Sequence, residues 1–267
     1  MQDWHDASER IQREVLISMY QCCPAAARAD LGLGLEMVAD VAVSLAGREP
    51  SILLNRAQGL GSREPVTRST IDAVVERYRH HGIERFFFHV YPSTLPPDGA
   101  AWLAETGLVK SRGWMQFLRS TEPAPSARTE LDIERIDARH AVDFAGIVCG
   151  SFGLGDLSRP YIAAMFEDAR WRCFMSFAAG EPAGVGAVFI DGNLAYLGFG
   201  ATDPRFRRRG SQGAIMCARI QAALDAGCDY LFTETGEAVE GEQQTSYRNI
   251  MRFGFQPVAL CENWCPG

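Results

Sequence analysis

Between residues 203 and 214 the chain reads Asp-Pro-Arg-Phe-Arg-Arg-Arg-Gly-Ser-Gln-Gly-Ala, and this stretch concentrates groups able to do chemistry. Arg207, Arg208 and Arg209 run straight into Gly210, Ser211, Gln212 and Gly213, between an apolar strand pattern and a long helical one. The first N–H groups of a helix have no partner inside it and point outward, so a helix start can bind an anion. Glycine lets the backbone approach that anion closely, and arginine adds charge at its rim. The segment therefore reads as a phosphate cradle. A solvated basic turn is the competing reading; the glycines and the following helix favour the cradle, more clearly for Arg207 and Arg208 than for Arg209. No GxGxxG follows a strand and no Gly-Lys-Ser/Thr occurs, which removes the dinucleotide-binding and P-loop readings.

The elements that must position this turn follow from periodicity. Pro123 and Pro125 in the run of small residues 121–127 mark a linker, dividing the chain into residues 1–120 and 128–267. After it the pattern predicts a strand at 131–136 and helices at 138–149 and 158–168. Strands at 171–177, 182–190 and 194–202 follow, the last two joined by the hairpin signal Asp191-Gly192-Asn193. A helix over 210–226 ends at Gly227, followed by a strand at 230–235, a helix at 245–252 ending before Gly254, and a closing strand from Val258 to about Trp264. The first half echoes this order: strand 52–57, helix 69–81 and Gly82, strand 85–91, helix 100–106 and Gly107, strand 114–119. An internal duplication accounts for the echo, as does chance similarity of common α/β order. Residues 61–65 stand where the second half has its arginine-glycine turn, so the first half has no cradle. Residues 1–50 read as mainly helical, with Ile11, Val15, Leu16 and Met19 on one face.

Composition bounds the rest. The 267 residues are 47% apolar and 22% charged, ordinary for a globular chain. No apolar run is long enough to span a bilayer, and the start lacks a secretory pattern, so the expected location is cytoplasmic, with no membrane partner. A net charge of −7 weighs against nucleic acid and suits a cationic small molecule, or merely solubility. The eight cysteines form no CxxC pair and sit in apolar patterns, so they read as buried hydrophobes and no metal site is expected.

Residues 130–264 resemble the GNAT superfamily of acyl-CoA-dependent N-acetyltransferases. Two motifs carry the resemblance: Arg207-Arg208-Arg209-Gly210-Ser211-Gln212 after a strand, and Ser246 to Phe255, a short helix closing on Gly254-Phe255. The first departs from the family's Arg/Gln-x-x-Gly-x-Gly/Ala at Gln212, with Gly213 one position later. The resemblance implies a mixed α/β (α+β) sheet flanked by helices, preceded by a smaller GNAT-like half, and acetyl-CoA as cofactor. It places the pyrophosphate at 207–213, the thioester and pantetheine along the backbone of Ala201 and Thr202, and Asn249 in hydrogen-bonding reach of the cofactor. Gly198 and Gly200 then mark a bulge or close approach in the strand that splays from its neighbour.

Acetylating an amine requires a base to take its proton, directly or through water. Glu234, at the end of a strand, and Glu237, in the loop after it, are the candidates. The family's usual acid is a tyrosine at the position of Ile250; Tyr247, one turn earlier, is the nearest phenol, with water as the alternative. The resemblance puts the loop 151–156 at the acceptor site, so Asp156, Glu234 and Glu237 are expected to bind a cation, with Phe152 and Trp264 as apolar walls. The reading is direct N-acetyl transfer to a primary amine of a small cationic molecule, an aminoglycoside-type antibiotic being the sharpest form, by a monomer or homodimer. A non-catalytic acyl-CoA sensing module, a macromolecular amine acceptor and an aminoacyl transferase using charged tRNA are the alternatives.

Overall fold

The computed structural model describes residues 4–242 and 244–267. Helices α1 (His5–Cys22) and α2 (Ala25–Leu31) lead into strands β1 (Leu33–Val38) and β2 (Val41–Ala46). Then come β3 (Arg56–Gln58), α3 (Arg68–His80), β4 (Phe87–Val90), α4 (Gly99–Glu105) and β5 (Leu108–Arg119). The second half runs β6 (Asp132–Ile136), α5 (Ala141–Phe152), α6 (Arg159–Ala163), β7 (Trp171–Ala178), β8 (Glu181–Asp191) and β9 (Leu194–Thr202). It closes with α7 (Ser211–Asp225), β10 (Tyr230–Gly236), α8 (Thr245–Arg252) and β11 (Gln256–Pro266).

The eleven strands of the described residues form one mixed sheet in the order β1-β2-β3-β4-β11-β5-β10-β9-β8-β7-β6. Each half has one parallel pair, β3 with β4 and β9 with β10, at the place where a helix crosses over between strands. The last strand of each half lies inside the other's territory. β5 pairs with β10, and β11 pairs with β4 as well as with β5.

Helices cover both faces. On one, α1, α2, α5 and α6 pack around Ile11, Val15, Met19, Phe144, Val148 and Met165. On the other, α7 and α8 cover Phe117, Ile215, Ile220 and Phe255, while Phe232 of β10 belongs to the first cluster. A third cluster under α3 and α4 is built on Val74, Tyr78, Phe86 and Phe88. The N-terminal helix α1 thus packs mainly against the second half.

The expectation of mainly helix before residue 50 fails at β1 and β2. Their turn is Ala39-Asp40, with Ala39 at φ 52°, and carries none of the Gly or Asn that normally announces such a hairpin. The Asp40 carboxylate replaces that signal by accepting the N–H groups of Arg63 (2.8 Å) and Glu64 (3.1 Å), so the turn is held from a distant loop. The strand expected at 52–57 is also shorter, because 52–54 form a turn before β3. Its conformation is fixed by the buried side chain of Asn55, which bonds the backbone of Ala46 and Glu49.

Candidate active site

The site is a fork in the sheet. β9 and β10 pair only from Leu194 to Tyr196 against Tyr230 to Phe232, although both strands run further. The hydroxyl of Thr233 donates to the carbonyl of Leu197 (2.8 Å) at the crotch. Beyond it β9 bulges: Ala187 faces Gly198 while Val185 faces Ala201, and Phe199 takes φ 56°. An extra residue of this kind bends a strand away from its neighbour. Arg219 of α7 supports the bulge from behind, donating from Nη1 to the carbonyls of Gly198 (3.0 Å) and Ala187 (3.4 Å). Burial pulls its pKa down to about 10, so it remains a cation at neutral pH. Gly198 is required by its neighbour two residues back, since a Cβ there would lie 2.7 Å from the ring of Tyr196 on the same strand face.

A cavity of about 370 Å³ occupies the fork. β9 lines it from Tyr196 to Gly200, β10 from Thr233 to Thr235, and α7 through Gln212, Met216 and Arg219. Ser246, Asn249, Ile250 and Phe253 close the side of α8, while Val15, Ser51, Ile52, Leu53, Arg56, Trp114 and Phe152 close the other.

Glu234 is the carboxylate in this wall. It faces Gln116 across the β10–β5 ladder, and the two side chains bond, Gln116 Nε2 donating to Glu234 Oε2 (2.8 Å). The Tyr196 hydroxyl donates to Glu234 Oε1 (2.8 Å). Burial first, and then the carboxylate beside it, push the Tyr196 pKa well above the usual phenol range, so it stays a donor. Gln116 is itself oriented by α1, its Oε1 accepting from Gln12 Nε2 (2.6 Å) and Ser8 Oγ (3.2 Å). Gln58 Nε2 donates to Gln12 Oε1 (3.4 Å) and lies 3.4 Å from Nδ1 of His89, whose pKa burial holds well below the ordinary value. A carboxylate fixed by two donors keeps further lone-pair sites with which to accept a proton.

The arginine-glycine turn stands at the start of α7. Arg207, Arg208 and Arg209 are exposed, and no ion pair engages them among the described residues. Arg209 lies over the ring of Phe206 (5.9 Å). Arg208 (φ 66°) and Gly210 (φ 86°) both adopt left-handed backbone. A Cβ on Gly210 would fall 2.3 Å from the Arg128 carbonyl, because the linker closes over the turn and Thr129 Oγ1 donates to the Arg209 carbonyl (2.8 Å). Arg128, Arg208, Arg209 and Arg252 surround an adjoining groove of about 750 Å³. Asn249 donates to Gln212 Oε1 (3.1 Å), tying α8 to the turn. The start of a 15-residue helix, with arginines free of ion pairs among the described residues and a glycine whose Cβ would clash, fits a pyrophosphate.

The fork brings together Glu234, Gln212, Asn249 and Phe152 from the expected set. Other expectations need correction. Glu237 is not in the cavity wall; its Oε1 accepts the N–H of Gly113 (2.8 Å), making it a brace for β5. Tyr247 packs edge-on against Phe117 (4.8 Å between centroids) rather than facing the cavity, because one helical turn from Ile250 does not fully restore the same face. Asp156 points to solvent and pairs with Arg159 (2.9 Å). Trp264 is 5% exposed in the core beneath α3, carried there by the pairing of β11 with β4. Ala201 and Thr202 lie beyond the stretch of β9 that lines the cavity, and the Ser211 hydroxyl is turned inward to Ser176 (2.7 Å). Sequence reasoning missed Tyr196, Gln116 and Arg56. The Tyr196–Gly198 pair, a large ring and a missing Cβ on one strand face, was the one legible signal.

No residues of the described chain group as a metal site, and no described helix is long and apolar enough to cross a membrane. All eight cysteines are free. Burial raises the pKa of Cys23 and of Cys149 to about 11, so neither is an activated nucleophile.

The fold is that of solved GNAT N-acetyltransferases, a tandem GNAT protein among them. The chain is similar over 94% of its length to a GCN5-related N-acetyltransferase from Kribbella flavida, covering 96% of that chain with a TM-score of 0.63 at 16% identity. A GCN5-related N-acetyltransferase from Sphaerobacter thermophilus matches with a TM-score of 0.61 at 12% identity, over 87% of this chain and 82% of that one. A tandem GNAT protein from the clavulanic acid biosynthesis pathway matches with a TM-score of 0.59 at 18% identity, over 84% and 77%. No family model and no curated protein sequence matches the chain.

Proposed function

We propose that the protein is an N-acetyltransferase that moves an acetyl group from acetyl-CoA directly to a primary amine of a small molecule. One observation carries this reading: a single cavity runs from Gln212 in the first turn of α7, through the open fork of β9 and β10, to a carboxylate held by two donors. When bound, acetyl-CoA supplies a thioester-activated acetyl group. The N–H groups at 207–213 hold its phosphates, with Arg207, Arg208 and Arg209 at the rim, and the free edge of β9 at Leu197–Gly200 takes the pantetheine arm. Glu234 removes a proton from the incoming ammonium, directly or through water. Ile250, standing where the family has its tyrosine, would offer no proton to the coenzyme A thiol released as the acetyl group passes to the amine, so that proton would come from solvent. Apolar walls from Val15, Leu53, Trp114 and Phe199 keep bulk water from the carboxylate.

In this reading residues 128–267 are the catalytic part, and residues 1–120 are a degenerate copy that walls the acceptor side. The acidic cluster expected to gather a polycation is not assembled in the cavity: Glu234 faces two arginines there, while Asp156 and Glu237 are engaged elsewhere. An aminoglycoside-type acceptor therefore has little charge to hold it. The isoleucine in place of the tyrosine favours one second reading, an acyl-CoA sensor.

Mass spectrometry of a panel of primary amines incubated with protein and acetyl-CoA tests the proposal. An acetyl gain is expected on at least one amine. Replacing Glu234→Gln should lower kcat by about 10²- to 10⁴-fold while leaving acetyl-CoA affinity in place. Binding of acetyl-CoA without transfer to any amine would leave the sensor.

A further inference from the structure

The first half contributes one charged side chain to the cavity. Arg56 of β3 is 8% exposed, lines the cavity, and makes no hydrogen bond or ion pair among the described residues; its Nε is buried without a partner. Its charge is felt by the buried groups around it, Tyr196, Tyr161 and His89, none of which is an anion at neutral pH. A guanidinium keeps its charge under protein conditions, and among the described residues no carboxylate pairs with this one: Glu234, the carboxylate of the cavity wall, is bonded to Gln116 and Tyr196 instead. A buried charge left unpaired is strongly unfavourable, and chains keep one where a ligand supplies the counter-charge. Arg219, the other cavity arginine, differs: its Nη1 is spent on the carbonyls of the bulge.

We propose that the acceptor is a zwitterion of the amino-acid class, whose carboxylate docks on Arg56 of the first half while its amine faces Glu234 of the second. This deepens the acetyltransferase reading and rests on it. Arg56 presents a planar fork matched to a carboxylate, which can be bound bidentately. Glu234 offers the complementary anion for the ammonium. The cavity between them is walled by Ile52, Leu53, Trp114 and Phe152, which suits an apolar or aromatic side chain. Its ~370 Å³ accommodates a small molecule rather than a chain of sugars. The β3 strand is held where it is by its pairing with β4, Arg56 lying opposite Phe87, and by the Asn55 side chain beneath it. The first half therefore completes the acceptor site.

The experiment compares wild type with Arg56→Met on the free proteinogenic amino acids, their amides, and simple polyamines, with acetyl-CoA as donor. Wild type should acetylate one or more free amino acids and prefer the acid to its amide by about 10- to 100-fold in kcat/KM, the worth of a charge-assisted pair. Arg56→Met should lose that preference, treating acid and amide alike, while its acetyl-CoA affinity stays unchanged. Methionine replaces an unpaired buried charge by an apolar chain of similar length, so the variant should fold and melt no lower than wild type. Calorimetry with the N-acetyl amino acids and their amides gives a second readout that needs no turnover. Only the acids should bind, and only to wild type. Transfer to amines with the same rates for acid and amide would overturn the zwitterion while leaving the acetyltransferase in place. So would a carboxylate preference that survives Arg56→Met, or a panel in which neither free nor N-acetyl amino acids bind. Absence of acetyl-CoA binding would instead overturn the underlying reading.

Discussion

Replacing Gly210 by alanine tests whether the start of α7 is a phosphate site. The residue sits at φ 86°, where a side chain costs about 1–2 kcal/mol. The new Cβ would stand 2.3 Å from the Arg128 carbonyl, against an ordinary contact of 3.4 Å or more, so the linker must retreat by about 1 Å. That movement breaks the bond from Thr129 to the Arg209 carbonyl, a further loss of about 0.5–1.5 kcal/mol. The combined cost of keeping the native turn is about 1.5–3.5 kcal/mol. If the variant relaxes out of that turn and binding requires it, acetyl-CoA affinity falls by the same energy, about 10- to 300-fold. Calorimetry with acetyl-CoA reads the loss, and S-acetylpantetheine, which lacks the phosphates, should bind both proteins equally. Gly227→Ala is the internal control. It has φ 78° but nothing within 4 Å of the added Cβ, at the far end of the same helix. It should lose stability and keep its affinity. A folded Gly210→Ala protein that binds acetyl-CoA within about threefold of wild type refutes the phosphate assignment.

Two further predictions concern pH. Burial would raise the pKa of Asp168, but the hydrogen bonds from Arg170 and Ser18 outweigh it, and the folded value lies below the ordinary 3.8. Its stabilisation is therefore present above that pH and is lost as pH falls through the folded value; wild type should lose urea midpoint between pH 5 and pH 3, and Asp168→Asn should flatten that drop. Glu9 is the opposite case. Burial raises its pKa above 4.5 despite the bond from Ser62, so its protonated form is favoured in the folded state and its contribution is lost as pH rises through the folded value. Glu9→Gln should reduce the dependence of stability on pH between pH 4.5 and pH 7; an unchanged slope would contradict the assignment.

Much of the second half was legible because its elements are punctuated locally. Asp191-Gly192-Asn193 marks the β8–β9 hairpin, and Gly227 and Gly254 stop α7 and α8, each at a positive φ that glycine alone takes freely. The arginine-glycine turn was readable for the same reason. What escaped was set by contacts distant in sequence. Glu234 and Tyr196 meet because two strands are parallel neighbours, and Glu234 and Gln116 because β5 pairs with β10 across the linker. Arg56 lies in a short apolar stretch with no local sign that its neighbours would bury it. Trp264 was misplaced by the same exchange of strands, since a closing strand in the second half was expected to stay there. Glu237 differs from Glu234 only in being three residues on, where the strand has ended and the carboxylate reaches Gly113 instead.

The exchange of β5 and β11 also explains why the first half persists without a cradle of its own. A chain beginning at residue 128 would leave β10 without its antiparallel neighbour. It would lack Phe117, which is fully buried beneath α7 and α8, and Gln116, the donor that orients Glu234. It would lack α1 as well, whose Ser8 and Gln12 fix the Gln116 amide and whose Val15 walls the cavity. The contribution reaches the loop after α5 too: Glu49 accepts the Gly155 N–H (2.8 Å) and the Ser158 hydroxyl (3.0 Å), pinning the connection between α5 and α6. The hydrogen-bonded chain Tyr196, Glu234, Gln116, Gln12 and Gln58 crosses from the second half into the first without leaving buried or half-buried groups. Buried polar groups are costly to leave unpaired, so the network favours the arrangement of the two halves that makes these bonds. The first half has no arginine-glycine turn at 61–65. It supplies the strand, helix and side chains that shape the other half's cavity.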